Sequence, residues 1–120
     1  MTRAAISAPT AWLSAIRPAT LTAALTPVAV GSAMAAADGS LDPGVIVAAL
    51  LGAILIQIGT NLFNDYEDFK RGADNDDRLG PARATQKGWL TPGQVLRGAI
   101  LSFLGAVLAG NKVLVTGEMV

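Results

Sequence analysis

The chain has 120 residues, of which 52% are hydrophobic and only 15% charged, a composition too apolar for an ordinary soluble domain and typical of a membrane protein. Nine basic residues balance nine acidic ones, so the net charge of zero gives no basis for binding nucleic acid. Cysteine and histidine are absent, which excludes disulfides, structural zinc, thiol nucleophiles and histidine-based acid–base catalysis.

Two uncharged runs predict the first two membrane-spanning helices, over residues 18–37 and 43–64. Each run has about the 20 residues that a helix needs to cross the hydrocarbon core of a bilayer. The second run is mostly large and aliphatic, whereas the first is rich in alanine and contains Pro27, so the first depends on packing against neighbouring helices. A third apolar run, interrupted by Lys112, predicts a third span over 98–117.

Two other interpretations of these runs stay open. The first run can also be a signal peptide, because Arg3 precedes an apolar stretch and the small residues at 33–35 resemble a cleavage site. Against this, Pro27 weakens the apolar stretch. Both runs can also be buried helices of a soluble bundle, although neither shows the polar face of a soluble helix.

The segment 38–42 (DGSLD) predicts a turn that makes the first two spans an antiparallel hairpin. It has no lysine or arginine, whereas Arg3 and Arg17 lie in the N-terminal segment and six further basic residues lie in the loop 65–97. Since lysine and arginine concentrate in cytoplasmic segments of membrane proteins, we expect the N-terminus and the loop 65–97 to be cytoplasmic.

The segment 61–90 contains the residues suited to chemistry. If the second span stays helical through its end, Asn61, Asn64, Asp65 and Asp68 fall at i, i+3, i+4 and i+7 and place two amides and two carboxylates on one face. Hard oxygen donors of this kind suit Mg²⁺, which shares its coordination shell with substrate phosphates. The pattern therefore predicts a metal and diphosphate site at one end of a spanning helix.

Acidic and basic residues are mixed in the loop that follows. Three basic residues are spaced to donate to a phosphate group: Arg78, Arg83 and Lys87. The alternative is a solvated loop whose charges pair at the surface, which is an equally good interpretation of Asp76 and Asp77. An EF-hand starting at Asp74 is excluded because its fifth, sixth and twelfth positions lack the required residues, and no glycine-rich phosphate loop occurs.

The residues with the most specific spacing are Asn64-Asp65-Tyr66-Glu67-Asp68, Gly72, Asp74, Asp77-Arg78, Gly80-Pro81, Arg83 and Gln86-Lys87-Gly88. With the earlier string IRPAT at 16–20, they resemble the menaquinone branch of the UbiA superfamily of intramembrane aromatic prenyltransferases. The resemblance covers about residues 12–108. The superfamily pattern NDxxDxxxD is not met at Gly72, and the acidic residue follows at Asp74.

This resemblance implies an all-α transmembrane bundle of nine helices, of which residues 1–120 are the N-terminal portion. It implies a bacterial cytoplasmic (inner) membrane enzyme, with Mg²⁺ as cofactor, that transfers a polyprenyl group from polyprenyl diphosphate to 1,4-dihydroxy-2-naphthoate. Asn64 and Asp68 match the family's metal ligands, and Asp74 is a third candidate. Asp65 and Asp68 are the expected catalytic carboxylates. The expected substrate-binding residues are Asn61, Arg78, Arg83 and Lys87.

Family members have a second aspartate-rich motif, whereas Glu118 is the only acidic residue of this chain after Asp77. We therefore expect a truncated chain that is inactive alone and has the missing C-terminal portion as a partner. Two alternatives remain. One is a non-catalytic small membrane protein or remnant whose hairpin docks on other helices. The other is a sibling prenyltransferase with another acceptor, such as 4-hydroxybenzoate or homogentisate.

Overall fold

The computed structural model describes residues 7–71, 84–85 and 87–119, with side chains through Leu114. It has four α-helices: α1 (Ala8–Ile16), α2 (Leu21–Ala37), α3 (Pro43–Lys70) and α4 (Pro92–Met119). The described ranges contain no strand and three helical segments long and apolar enough to cross a membrane. The predicted all-α transmembrane architecture is therefore confirmed, and the protein is an integral membrane protein.

The chain bends sharply between α1 and α2. Arg17 has a φ of 59°, in the left-handed region, and a short 3-10 turn (Pro18–Thr20) leads from it into α2. The bend follows from Pro18, because proline disfavours helical dihedral angles at the residue before it. The first apolar run, predicted to span 18–37, thus comprises a 3-10 turn and α2, and it follows a separate helix, α1.

The turn between α2 and α3 lies where the string DGSLD predicts it. Gly39 has a φ of 74°, which a residue with a Cβ rarely adopts. Asp42 caps α3, because its side chain accepts hydrogen bonds from the main-chain N–H groups of Gly44 at 2.9 Å and Val45 at 3.3 Å. The two helices therefore form a hairpin with this turn at one end.

Helix α3 is longer than a membrane crossing requires. Its 28 residues extend over about 42 Å, whereas the hydrocarbon core of a bilayer is about 30 Å thick. It continues through Lys70, six residues beyond the predicted end of the span at residue 64. The polar last turns of α3 can therefore project beyond the hydrocarbon core while they remain helical.

Helix α4 begins at Pro92, earlier than the predicted residue 98, because of a capping box. The main-chain N–H of Thr91 donates to the side chain of Gln94 at 2.9 Å, and the N–H of Gln94 donates to Thr91 Oγ1 at 3.2 Å. Proline directly after the cap is favourable, since its missing N–H is not needed there. The connection between α3 and α4 is therefore 71–91, shorter than the predicted loop 65–97.

Helices α3 and α4 pack antiparallel through glycines. A Cβ at Gly59 would lie 2.8 Å from Phe103 Cε1, and a Cβ at Gly98 would lie 3.1 Å from Leu62 Cδ1 and 2.9 Å from a ring carbon of Trp12. At both positions glycine leaves room for these side chains to pack directly on the backbone of the neighbouring helix, which is a common use of small residues between membrane helices. These contacts fix the register of α4 on α3 and seat α1 against both.

The core lies at the end of the bundle where α3 ends and α4 begins, which we call the motif end. Seven buried residues form one cluster there, namely Ala11, Ala15, Leu62, Ala84, Leu90, Val95 and Ala99. Farther from this end, α4 exposes large apolar side chains such as Leu101, Val107 and Leu108. Contiguous apolar exposure of this kind suits a bilayer or further helices and disfavours a soluble bundle.

Candidate functional site

The four polar side chains of α3 that the sequence singled out lie on two neighbouring strips of the helix. Asn61 and Asp65, four residues apart, are 3% and 0% exposed and form what we call the buried strip. Asn64 and Asp68, also four residues apart, are exposed and half-buried respectively and form the outer strip. The helical register is as predicted, but neighbouring elements cover one strip and leave the other accessible.

The amide of Asn61 joins α3 to the bend before α2. Its Nδ2 donates to the main-chain oxygen of Ile16 at 2.8 Å and to Thr20 Oγ1 at 2.6 Å, and its Oδ1 accepts from Gln57 Nε2 at 3.3 Å. The carbonyl of Ile16 needs such a donor, because α1 ends there and leaves it without a helical partner. The amide predicted to bind substrate is thus engaged by the chain itself.

The carboxylate of Asp65 is buried against the segment that returns to α4. Thr85 is itself only 3% exposed, and its hydroxyl donates to this carboxylate. The same hydroxyl lies 3.4 Å from the main-chain oxygen of Asp65. Removing a carboxylate from water is costly in free energy, and a hydrogen bond from a buried neighbour such as Thr85 offsets part of that cost.

Lys87 lies two residues after Thr85, in a tight turn. The main-chain N–H of Gly88 donates to the carbonyl of Thr85 at 3.1 Å, and the N–H of Trp89 donates to the carbonyl of Ala84 at 2.9 Å. Gly88 has a φ of 76°, so the bonds and the left-handed glycine form a Schellman motif. Ala84 is buried and Trp89 packs on the core, whereas Lys87 is exposed. The turn therefore presents a cation beside a buried anchor.

The end of α3 favours positive charge. The C-terminus of a helix carries partial negative charge, and Asp68 adds a carboxylate within the last turn. Two basic residues there contact their own helix: Arg71 Nη2 lies 3.4 Å from Glu67 Oε2, and Lys70 Nζ lies 5.8 Å from the centre of the Tyr66 ring. A further cation beside the outer strip would be stabilised by the same field.

Three predicted site residues lie outside the described residues, namely Asp74, Arg78 and Arg83. Within the described ranges no group of three or more acidic side chains is arranged to hold a metal ion. The outer strip supplies one amide and one carboxylate oxygen. Such a pair suits part of a magnesium shell, because Mg²⁺ usually keeps several waters and binds substrate phosphates as well.

A separate apolar groove of about 690 Å³ lies between α2 and α3, near the turn that joins them. Its lining includes Pro27 and Ala35 of α2 and Val45 of α3, and along α3 it reaches Ala53. Asn61 follows eight residues later, which is about 12 Å along a helix axis. The groove is therefore distinct from the polar residues at the motif end.

Sequence reasoning missed two residues that the structure brings to these side chains, Thr20 and Thr85. Thr20 belongs to the string IRPAT, which contributes to the family resemblance but predicts no contact for this side chain. For Thr85 the only signal is its position two residues after Arg83 and two before Lys87. Both contacts join residues that are distant in the sequence, so no local pattern predicts them.

Comparison with known proteins finds relatives among named prenyltransferases. A 1,4-dihydroxy-2-naphthoate octaprenyltransferase of Escherichia coli (strain K12) is 43% identical over 110 residues, which are 92% of this chain and 36% of that protein. A protein of the same name from Bacillus subtilis (strain 168) is 39% identical over 94 residues, 78% of this chain and 30% of that protein. The human UbiA prenyltransferase domain-containing protein 1 is 39% identical over 103 residues, 82% of this chain and 29% of that protein.

The chain spans about a third of the length of the curated relatives that it matches. No solved structure matches it. The sequence model of the UbiA prenyltransferase family matches residues 24–119, which include most of α2, all of α3 and α4, and the whole segment 61–90. The match extends over most of the chain and agrees with the resemblance in its polar motif, so the chain belongs to the UbiA prenyltransferase family.

Proposed function

We propose that the protein transfers a polyprenyl group from polyprenyl diphosphate to 1,4-dihydroxy-2-naphthoate, giving demethylmenaquinone in its reduced (quinol) form, and that this chain supplies the first part of the diphosphate site. The names of the bacterial relatives support this acceptor and this reaction. The observation that carries the proposal is the outer strip. It places an amide and a carboxylate four residues apart at the end of a helix long enough to cross a membrane.

The donor chemistry of the outer strip fits Mg²⁺. Asn64 and Asp68 would hold the ion through oxygen atoms, with Asp74 as a third candidate ligand from the following loop. Their position near the negative end of α3 adds a field that favours a cation. Bound there, magnesium would supply positive charge that neutralises the diphosphate group.

Three basic side chains complete the proposed binding of the diphosphate, namely Arg78, Arg83 and Lys87. Arginine offers a planar fork and lysine a point charge, and both match phosphate oxygens. Negative charge grows on the diphosphate as its bond to the prenyl carbon breaks, and fixed cations stabilise that charge. Lys87 is already exposed beside its buried anchor, so the chain presents it without unfolding the turn.

The apolar helices contribute by excluding water. The prenyl carbon that loses the diphosphate is electron-poor, and water would capture it before the electron-rich ring carbon of the naphthoate attacks. The bond between the prenyl carbon and the diphosphate oxygen breaks, the ring carbon forms the new carbon–carbon bond, and the ring carboxylate leaves as carbon dioxide. In this proposal the exposed apolar faces of α3 and α4 serve as walls of a chamber that further helices close.

The proposed orientation places the motif end in the cytoplasm. Arg17 and the described basic residues of 65–97 lie at this end, whereas the turn 38–42 at the other end has no lysine or arginine. Such a distribution favours a cytoplasmic motif end. We further propose that the helices opposite the outer strip come from a portion of the protein beyond these 120 residues, since the relatives are about three times as long.

The proposal can be tested in a fusion of this chain to the part of the Escherichia coli relative that lies beyond the matched segment. Membranes containing the fusion are supplied with polyprenyl diphosphate, Mg²⁺ and either 1,4-dihydroxy-2-naphthoate or 4-hydroxybenzoate. We expect prenylated naphthoate only. The variant Asp68→Asn should lower turnover at least about 100-fold, a loss typical of a metal ligand or its support, while membrane insertion is unchanged.

Glu67→Gln is the matched control, because Glu67 is the adjacent carboxylate of α3 and lies 3.4 Å from Arg71 of the same helix. We expect its turnover to stay within about twofold of the unsubstituted fusion, since surface ion pairs contribute little. Equal turnover of both variants would remove Asp68 from the site. Prenylation of hydroxybenzoate alone would support the sibling enzyme, and insertion without any transfer would support a non-catalytic membrane protein.

A further inference from the structure

We infer that Thr85 is a positioning residue of the diphosphate site and that it acts through Asp65; this inference rests on the proposed function. The motif resemblance makes Asp65 a catalytic carboxylate. Its complete burial and its bond from Thr85 instead assign it the task of holding the segment that carries Lys87. In this inference the outer strip binds the metal and diphosphate, and the buried strip holds the neighbouring segments of the chain in position.

The contact joins the two elements that present the proposed ligands. Asp65 lies one helical turn before Asp68 on α3, and Thr85 lies two residues before Lys87. Both partners are almost completely buried, and they are 20 residues apart in the sequence. The contact between Thr85 and Asp65 therefore helps to set how far the cation of the turn lies from the carboxylate of the outer strip.

The hydroxyl of Thr85 is specifically required for this contact. A threonine hydroxyl has one proton to donate, and here it is directed to the carboxylate of Asp65. Valine has the same branched shape but no donor, so Thr85→Val removes the bond and keeps the packing. The bonds from Gly88 and Trp89 to the main chain involve no side chain of residue 85 and remain. The substitution should therefore displace the turn without unfolding the bundle.

The first measurement uses the 120-residue chain in detergent and needs no activity. Trypsin cleavage after Lys87 is followed by mass spectrometry in the unsubstituted chain, Thr85→Val and Thr85→Ser. We expect about tenfold faster cleavage in the valine variant, because loss of a donor to a buried charged group makes local opening easier, and a normal rate in the serine variant. In an Asp65→Ala background, Thr85→Val should add no further increase.

The second measurement uses the fusion protein described above. We expect Thr85→Val to raise KM for polyprenyl diphosphate about tenfold and to lower kcat as well, because a displaced Lys87 interacts less with the diphosphate both before and while its bond breaks. Thr85→Ser should restore the normal KM. A general loss of stability would instead lower the amount of active enzyme and would leave KM unchanged.

Each outcome separates this inference from the proposed function. Equal cleavage rates in the valine and serine variants would overturn the positioning role, even if the Asp65→Ala variant fails to fold. Faster cleavage with an unchanged KM would show that the anchor does not serve the diphosphate, which also overturns it. Absence of prenyl transfer in the unsubstituted fusion would contradict the proposed function, while the cleavage ratio alone would still decide whether Thr85 anchors the turn.

Discussion

Replacing Asn61 by alanine tests whether this amide is structural. The substitution removes the hydrogen bonds from Nδ2 to the Ile16 carbonyl at 2.8 Å and to Thr20 Oγ1 at 2.6 Å. A hydrogen bond within a protein contributes about 1 kcal/mol to stability, and one between membrane helices about 0.6 kcal/mol. We therefore expect Asn61→Ala to lower the free energy of unfolding by about 1–3 kcal/mol. Asn61→Asp should be at least as destabilising, because it directs an oxygen at the Ile16 carbonyl.

The assay is unfolding of the chain in mixed micelles by increasing sodium dodecyl sulfate, followed by tryptophan fluorescence. Trp12 is a suitable reporter, since it lies on α1 and packs on the core at the motif end. Asn64→Ala is the matched control, because it makes the same substitution three residues later, on the outer strip of α3. We expect the control to stay within about 0.5 kcal/mol of the unsubstituted chain, as surface substitutions usually do.

Two results would refute this reasoning. One is a change below about 0.5 kcal/mol for Asn61→Ala, equal to that of the control. The other is normal unfolding combined with loss of prenyl transfer in the fusion protein. The second result would return Asn61 to the substrate-binding role expected from its sequence position.

The remaining predictions concern packing and capping. Gly98→Ala should destabilise the chain by about 1–3 kcal/mol, because its Cβ would lie 2.9 Å from a ring carbon of Trp12. Gly110→Ala should instead stabilise the chain by about 0.5–1 kcal/mol, because a Cβ there would meet no neighbouring atom within 4 Å. Sodium dodecyl sulfate unfolding checks both, and equal effects would contradict the assigned packing. Thr91→Ala should speed hydrogen exchange in the first turn of α4 about fivefold, because loss of a cap costs about 1 kcal/mol. Adding Gln94→Ala to the Thr91→Ala variant should increase the exchange rate little further. Full additivity of the two would contradict the capping box.

The membrane helices could be predicted from the sequence because the signal is local. Uncharged runs and the turn string at 38–42 specify a hairpin without reference to distant residues, and the structure has that hairpin. Apolar content alone predicts a third span from residue 98, whereas helix α4 begins six residues earlier, at Pro92. The pair Thr91 and Gln94 is a local start signal that places the beginning of α4 correctly.

The candidate site was only partly predictable for a related reason. Helical periodicity places Asn64 and Asp65 on one side of α3, but it does not state which side chain the rest of the protein covers. Which side chain is covered depends on the end of α1 and on the turn that begins at residue 84. These two segments come from different parts of the chain and both contact α3 between Asn61 and Asp65. Their contacts with the buried strip join residues 45, 41 and 20 positions apart.

The sequence by itself thus determined the class of the protein, its helices and its set of polar ligands, since composition and spacing are properties of short segments. Only the tertiary structure decided how that set divides. Segments distant in the sequence bury Asn61 and Asp65, which hydrogen-bond to Thr20 and Thr85 respectively, and they leave Asn64 and Asp68 accessible. The physical reason is that a buried polar group must find its partner inside the protein, and which partner is near depends on how the helices pack.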